Sequence, residues 1–272
     1  PITENPVGGF SSLSNPGRYV VIGPAGTPIG AEVDSGCVAA GGILEPTIGD
    51  CRFQFTQFDN LVEEEEQIRF FSEYNRDVAG GDLHLEFLYA SVDVPEWKTS
   101  PSYPPQVLTS QFVPANSPGY QQYLADNPGS ALAGGIGALY IGRTFGWGGF
   151  PGTGFAQEGS REYETFAFGG KYDNTFANGV NYELSANYST TDAFRLTNDT
   201  YIGALTAALS GFGLCADQIT GTPNAGAVAG QGGCQYYNPF SNAIPASAIT
   251  GQANPNFTPG LENTAELADW LT

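Results

Sequence analysis

The run GVNYELSANYSTTDAF, positions 179–194, alternates apolar and polar residues almost without interruption. Val180, Tyr182, Leu184, Ala186 and Tyr188 fall on one side, and Asn181, Glu183, Ser185, Asn187 and Ser189 on the other. Successive side chains of a strand point to opposite faces, so a period of two specifies a ribbon with one apolar and one wetted face. Strands of soluble sheets usually cover about five or six residues, whereas this pattern holds for about ten. That length restricts the fold more than any other feature of the chain.

Three other runs repeat the pattern. REYETFAFGGKYDN, 161–174, sets Phe166, Phe168 and Tyr172 against Thr165, Ala167, Gly169 and Lys171, and the turn DNTFANG joins it to the first ribbon. EQIRFFSEYN, 66–75, sets Ile68, Phe70 and Tyr74 against Arg69 and Glu73, with Phe71 as an exception. After RDVAGGD, the run LHLEFLYASV places Leu83, Leu85, Phe87 and Tyr89 opposite His84, Glu86, Leu88 and Ala90. The spacing predicts two long hairpins, with strands near 66–75, 83–94, 161–173 and 179–194.

The intervening segments, 1–60, 95–160 and 197–261, are crowded with Pro, Gly, Ser and aromatic residues. Inside a compact soluble domain, structureless loops of that length would count against the strand assignments. They suit an outer-membrane β-barrel, where long strands are joined by short turns on one side and long external loops on the other. A tilted strand crosses the hydrocarbon layer in about nine to eleven residues. In lipid only a helix or a closed barrel satisfies its own backbone. The expected fold is therefore all-β: a segment of an antiparallel transmembrane barrel. Ile68, Phe70, Leu83, Leu85, Phe87, Phe166, Phe168, Val180, Tyr182, Leu184, Ala186 and Tyr188 would then face lipid. Tyr74, Tyr89, Tyr172 and Tyr188 suit interfacial girdles. Four strands fall short of the roughly eight that such a barrel needs, so the chain is expected to be part of a larger one or to assemble with copies of itself. The absence of Met points to the former. The competing architecture is a soluble β-sandwich.

Charge narrows the partners. Asp and Glu number 28 against 9 Lys and Arg, a net charge of −19, which repels phosphate backbones and argues against nucleic acid. It argues equally against a basic patch on anionic lipid. The longest mostly apolar runs, 131–142 and 201–214, fall short of the roughly 20 residues of a membrane-crossing helix. Four cysteines allow three connectivities. Pairing of neighbours, Cys37 with Cys51 and Cys215 with Cys234, is expected because each pair brackets a turn-rich segment; four free thiols is the alternative. Disulfides would imply an oxidising compartment.

FDNLVEEEEQIRFFSEYN followed by LHLEFLYASVDVPEWKTSPSYPPQ resembles the mid-barrel region of TonB-dependent outer-membrane receptors. ALTAALSGFGLCADQ and CQYYNPFSNAIP resemble a later external loop of that family, where a small helix and a cysteine pair precede a Tyr-Asn-Pro-Phe segment. The resemblance covers most of the chain. It implies active nutrient uptake (ferric siderophore, glycan or similar) across the outer membrane of a Gram-negative bacterium, through a barrel of about 22 strands. The implied partners are outer-membrane lipid, an extracellular small molecule, and the TonB energy-coupling complex acting through a plug domain outside this sequence.

Weighed against that reading, the catalytic signals are weak, and no enzyme activity and no cofactor are expected. Glu63–Glu66 could suggest calcium, but alternating side chains cannot all converge. Glu162 and Glu164 share a face and could suggest a glycosidase pair, yet nothing in the sequence separates their roles. His84 has no second His or Cys partner nearby, so metal ligation is disfavoured. GWGGFPGTG, 146–154, lacks the Lys of a phosphate cradle and reads as loop. Sequons at Asn187, Asn198 and Asn256 are of a kind that arises by chance in such a composition. The aromatic residues Trp97, Tyr103, Tyr120, Trp147, Tyr236 and Tyr237 are the ligand-contact candidates, since exposed rings stack on flat ligands. Packing among the loops is the competing role.

Overall fold

The computed structural model describes residues 10–45, 49–54, 62–99, 111–145, 157–197, 199–247 and 250–272. It is mostly antiparallel β-sheet with few helices. The chain divides into two compact units, one of 60–98 and 158–197 and one of the remaining segments.

The first unit consists of the two predicted hairpins. Its strands are longer than the pattern foretold: 13, 19, 19 and 17 residues, at Glu66–Val78, Gly81–Thr99, Gln157–Thr175 and Asn181–Thr197. Here they are termed H1 to H4 in chain order, and they form one sheet in the order H4-H3-H2-H1. Val180, placed at the start of a strand by its alternation, instead closes the H3–H4 turn, where its carbonyl accepts the Phe176 N–H. Gly179 adopts φ +86 in that turn, and Gly80 adopts φ +80 in the H1–H2 turn, a left-handed conformation that glycine enters at little cost. Both hairpins are antiparallel, with Phe70 opposite Tyr89 and Phe168 opposite Tyr188. The central pair runs antiparallel too. Leu85 lies against Gly170, while further along H2 the Phe87 ring meets Phe166, which lies earlier in H3.

The second unit holds the segments expected as long loops, and they are far from structureless. Strands β1 (Phe10–Ser11), β2 (Arg18–Ile22), β3 (Pro28–Val33), β4 (Ile43–Glu45), β5 (Asp50–Gln54), β6 (Phe112–Pro114) and β7 (Gly137–Ile141) make two small sheets. Their orders are β1-β5-β4 and β3-β2-β7-β6. Helices α1 (Pro118–Asp126), α2 (Ile202–Leu209) and α3 (Ala265–Leu271) join the second sheet around a core of Tyr19, Val21, Tyr120, Tyr140, Leu205, Leu209, Phe240 and Leu267. Strand β2 alternates as required, burying Tyr19 and Val21. Helix α2 is almost wholly apolar, IGALTAAL, and buries five of its eight residues. It ends at Gly211, φ +87, where Phe212 N–H returns to the Ala207 carbonyl. The Tyr236 ring occupies the space that a Cβ on Gly211 would need.

Two disulfides, Cys37–Cys51 and Cys215–Cys234, realise the neighbour pairing, and the described residues contain no free cysteine. Among the described residues no helix is long and apolar enough to cross a membrane.

Candidate functional site

The registers of the hairpin sheet place its apolar residues on one common face. Tyr172 opposes Leu184, Gly170 opposes Ala186, and Tyr74 opposes Leu85. Aromatic rings carry this face across all four strands. Phe70 meets Phe87 at 5.7 Å, Phe87 meets Phe166 at 5.2 Å, and Phe166 meets Tyr188 at 6.4 Å, each edge to face. Such contacts contribute roughly 0.5–1.5 kcal/mol each beyond the area they cover.

Among the described residues nothing within the unit covers this face. Leu184 and Tyr188 are each 63% exposed, Ile68 61% and Phe70 55%. Phe166, Phe168 and Val180 are also exposed, while Leu83, Leu85, Phe87 and Tyr182 are half-buried by their neighbours in the sheet. An apolar surface that is continuous over four strands marks an interaction site rather than the scattered exposure normal for a soluble protein.

The apolar rows are interrupted by carboxylates, beyond which H4 carries two more exposed apolar side chains, Phe194 and Leu196, on the same face. Toward the strand ends away from the turns they give way to Glu164 opposite Asp192, then to Glu162, and to Glu66 opposite Asp93. Glu162, Glu164 and Asp192 line a hollow of about 200 Å³ beside Phe194, and the Tyr89 hydroxyl hydrogen-bonds Glu164. At the turn end the face closes with Arg76, Tyr172 and a tyrosine–phenylalanine pair, Tyr182 and Phe176, at 4.3 Å. From Tyr182 to Thr190 the strand rises about 27 Å at roughly 3.4 Å per residue.

The opposite face is polar. Lys171 reaches both Asp173 and Glu183 at 3.1 Å. His84 lies 2.6 Å from Asn75 Oδ1 through Nδ1 and 2.8 Å from Glu86 Oε1 through Nε2. It thereby bridges H1 and H2 where Glu73 directly opposes Glu86. Phe71, opposite Leu88, is the apolar exception that its sequence position foretold.

The aromatic ligand candidates disperse. Tyr120 and Tyr237 were expected to be exposed; both are in the core, at 0% and 1% exposure, so neither ring can stack on a ligand. The Tyr120 hydroxyl donates to the Leu132 carbonyl, and burial, followed by the charge of Glu32, pushes its pKa up to about 12. The Tyr237 hydroxyl donates to the Thr144 carbonyl and accepts from the Asn15 amide, and burial again raises it. Trp97 is 8% exposed beneath the Arg195 guanidinium, 4.8 Å from its ring centroid. Tyr236 is half-buried against Gly211 and Gly230. Tyr103 and Trp147 lie outside the described residues, as does the 146–154 glycine run.

Sequence reasoning also missed a buried carboxylate. Asp34 is 2% exposed and accepts hydrogen bonds from the Tyr19 hydroxyl and from the Gly36 and Ser241 N–H groups. Burial raises its pKa against the pull of those donors. A lone Asp between an edge strand and a cysteine gives no periodic signal. Among the described residues no group of three or more His, Cys, Asp or Glu could hold a metal.

Comparison with protein-family models and with curated proteins returns no match. The reading of this chain therefore rests on its own geometry.

Proposed function

We propose that the hairpin sheet is a stretch of outer-membrane β-barrel wall, and that the chain belongs to a TonB-dependent receptor that imports a scarce small molecule. The observation carrying this reading is the exposed aromatic face. It crosses four strands of 13 to 19 residues and is bounded by carboxylates at one end and by tyrosines at the other. Outer-membrane barrels present an outward apolar band about 25 Å tall flanked by aromatic girdles, with a polar interior. The sheet's two faces divide in that way. Among the described residues its outer strands, H1 and H4, have partners on one side only, and in lipid each would have to be paired by a further strand. The disulfides agree with an extracytoplasmic setting. On this reading the second unit stands outside the cell and contributes to ligand capture, while energy arrives through TonB and a plug outside this sequence.

Lipid accessibility tests the proposal. Spin labels at Leu184, Ala186 and Phe168, in the protein reconstituted into liposomes, are expected to be relaxed by oxygen and shielded from a water-soluble nickel chelate. Labels at Ser185 and Lys171 should show the reverse. Equal exposure of both sets to the chelate would overturn the reading.

The second unit keeps a rival alive, because it packs a core of its own with two disulfides. A secreted or surface binding protein would have such a unit. It would remain monomeric without detergent, which a protein bearing the aromatic face to lipid would not.

A further inference from the structure

The Cys215–Cys234 disulfide ties off the glycine-rich stretch TGTPNAGAVAGQGGC, 220–234, around a hollow of about 420 Å³. That volume falls in the range of small-molecule sites, roughly 300–1,000 Å³. The rim is fixed before any ligand arrives. Asn224 N–H donates to the Cys215 carbonyl, Cys234 N–H to Gln231, and Gly230 N–H to Gly211. Asp217 ties the adjoining turn through the N–H groups of Ile219 and Thr220 and through the Thr220 hydroxyl. These donors hold its carboxyl below the usual range, with the Thr220 N–H contributing most.

The lining itself carries no ionisable side chain, in a chain with 28 acidic residues. It offers two exposed amides, Asn224 and Gln231, and a low apolar patch of Ala225, Ala227 and Val228. Among the described residues no hydrogen bond engages either side-chain amide.

We propose that this hollow binds a neutral, polyhydroxylated ring, which is to say a sugar unit. An anion would find no cation here and would approach against the chain's net charge of −19. A cation would find no carboxylate in the lining. A purely apolar ligand would strip water from both amides and leave them unpaired. Hydroxyl groups both donate and accept, as side-chain amides do, and the C–H face of a sugar ring matches the methyl patch. The inference does not depend on the membrane reading, since every lining residue belongs to the disulfide-tied unit.

Calorimetric titration of the intact, oxidised chain with maltotriose and cellotriose, and with glucuronic acid and glucosamine as charged contrasts, tests it. At least one neutral trisaccharide is expected to bind in the low-millimolar range, more tightly than either charged sugar. Asn224→Ala and Gln231→Ala should each weaken that binding about 5- to 10-fold, the loss of one or two neutral hydrogen bonds. Gln252→Ala, outside the hollow, should leave it unchanged. Absence of saturable binding by either neutral sugar at about 10 mM would overturn the proposal. So would binding that survives the Asn224/Gln231 double substitution, or a preference for a charged sugar. None of these outcomes bears on lipid accessibility of the hairpin sheet, so the two readings fail separately.

Discussion

Asp34 shows how one side chain can tie distant parts of the chain together. Its carboxyl binds both Tyr19 on β2 and Ser241, the latter 207 residues from Asp34 in sequence. Asp34→Ala would orphan the buried Gly36 and Ser241 N–H groups, while the Tyr19 hydroxyl keeps the Pro239 carbonyl, and is expected to destabilise the disulfide-tied unit by about 2–4 kcal/mol, measurable by urea unfolding. The pH dependence has a definite sign. Because burial raises the folded pKa above the unfolded value of about 3.9, the protonated carboxyl favours folding. That contribution is fully present below the unfolded pKa and is lost as pH rises through the raised one. Asp34→Asn should flatten this slope relative to the parent, read as the difference between their melting curves from pH 3 upward; parallel curves would contradict it. On the polar face of the hairpins, His84 spans Glu73 and Glu86, which directly oppose each other. His84→Ala leaves two like charges face to face, so amide exchange in H1 and H2 should quicken around them.

Among the elements, the hairpins were legible in the sequence and the second unit was not. Period-two alternation in Tyr182–Tyr188 or Leu83–Tyr89 reports a two-faced strand directly, because adjacent side chains must diverge. Strand lengths were underestimated because alternation fades where Glu162, Glu164 and Asp192 interrupt the apolar rows, although pairing continues to Thr197. In the second unit, a five-residue strand such as Arg18–Ile22 and a tyrosine-rich core carry no long period, so Pro and Gly dominated the reading. Tyr120 and Tyr237 were misjudged for the same reason: an aromatic ring in a Gly-rich context looks exposed until the fold buries it. The cysteines were readable because short separations, 14 and 19 residues, favour neighbour pairing. Removing Cys37–Cys51 by double Ser substitution should cost the second unit about 3 kcal/mol in the chain-entropy estimate, seen as a lower urea midpoint. Gly119→Ala should destabilise it as well, by about 1–3 kcal/mol, because the new methyl would collide with the Asn238 side chain.

For the molecule as a whole, solvent decides what the hairpin face is worth. In a bilayer, Ala186→Lys in the middle of the apolar rows should cost about 2–4 kcal/mol of insertion free energy, while Asp192→Lys at their edge should cost about 0–1. In water both positions are exposed and both changes would be nearly neutral. Refolding into liposomes, compared between these two variants, therefore distinguishes a membrane wall from a soluble sheet; equal yields would favour the latter. The rows of Glu66, Asp93, Glu162, Glu164 and Asp192 carry one more implication. A sheet held in oil by its rings alone could slide along its strands and still bury much the same area. Were this sheet in a bilayer, a slip of one repeat in one direction would drag carboxylates below the headgroups, and in the other would lift Phe70 and Phe166 into water. If the sheet is a membrane wall, the ribbon would carry its own waterline, and a bilayer a few ångströms too thick would have to thin around it.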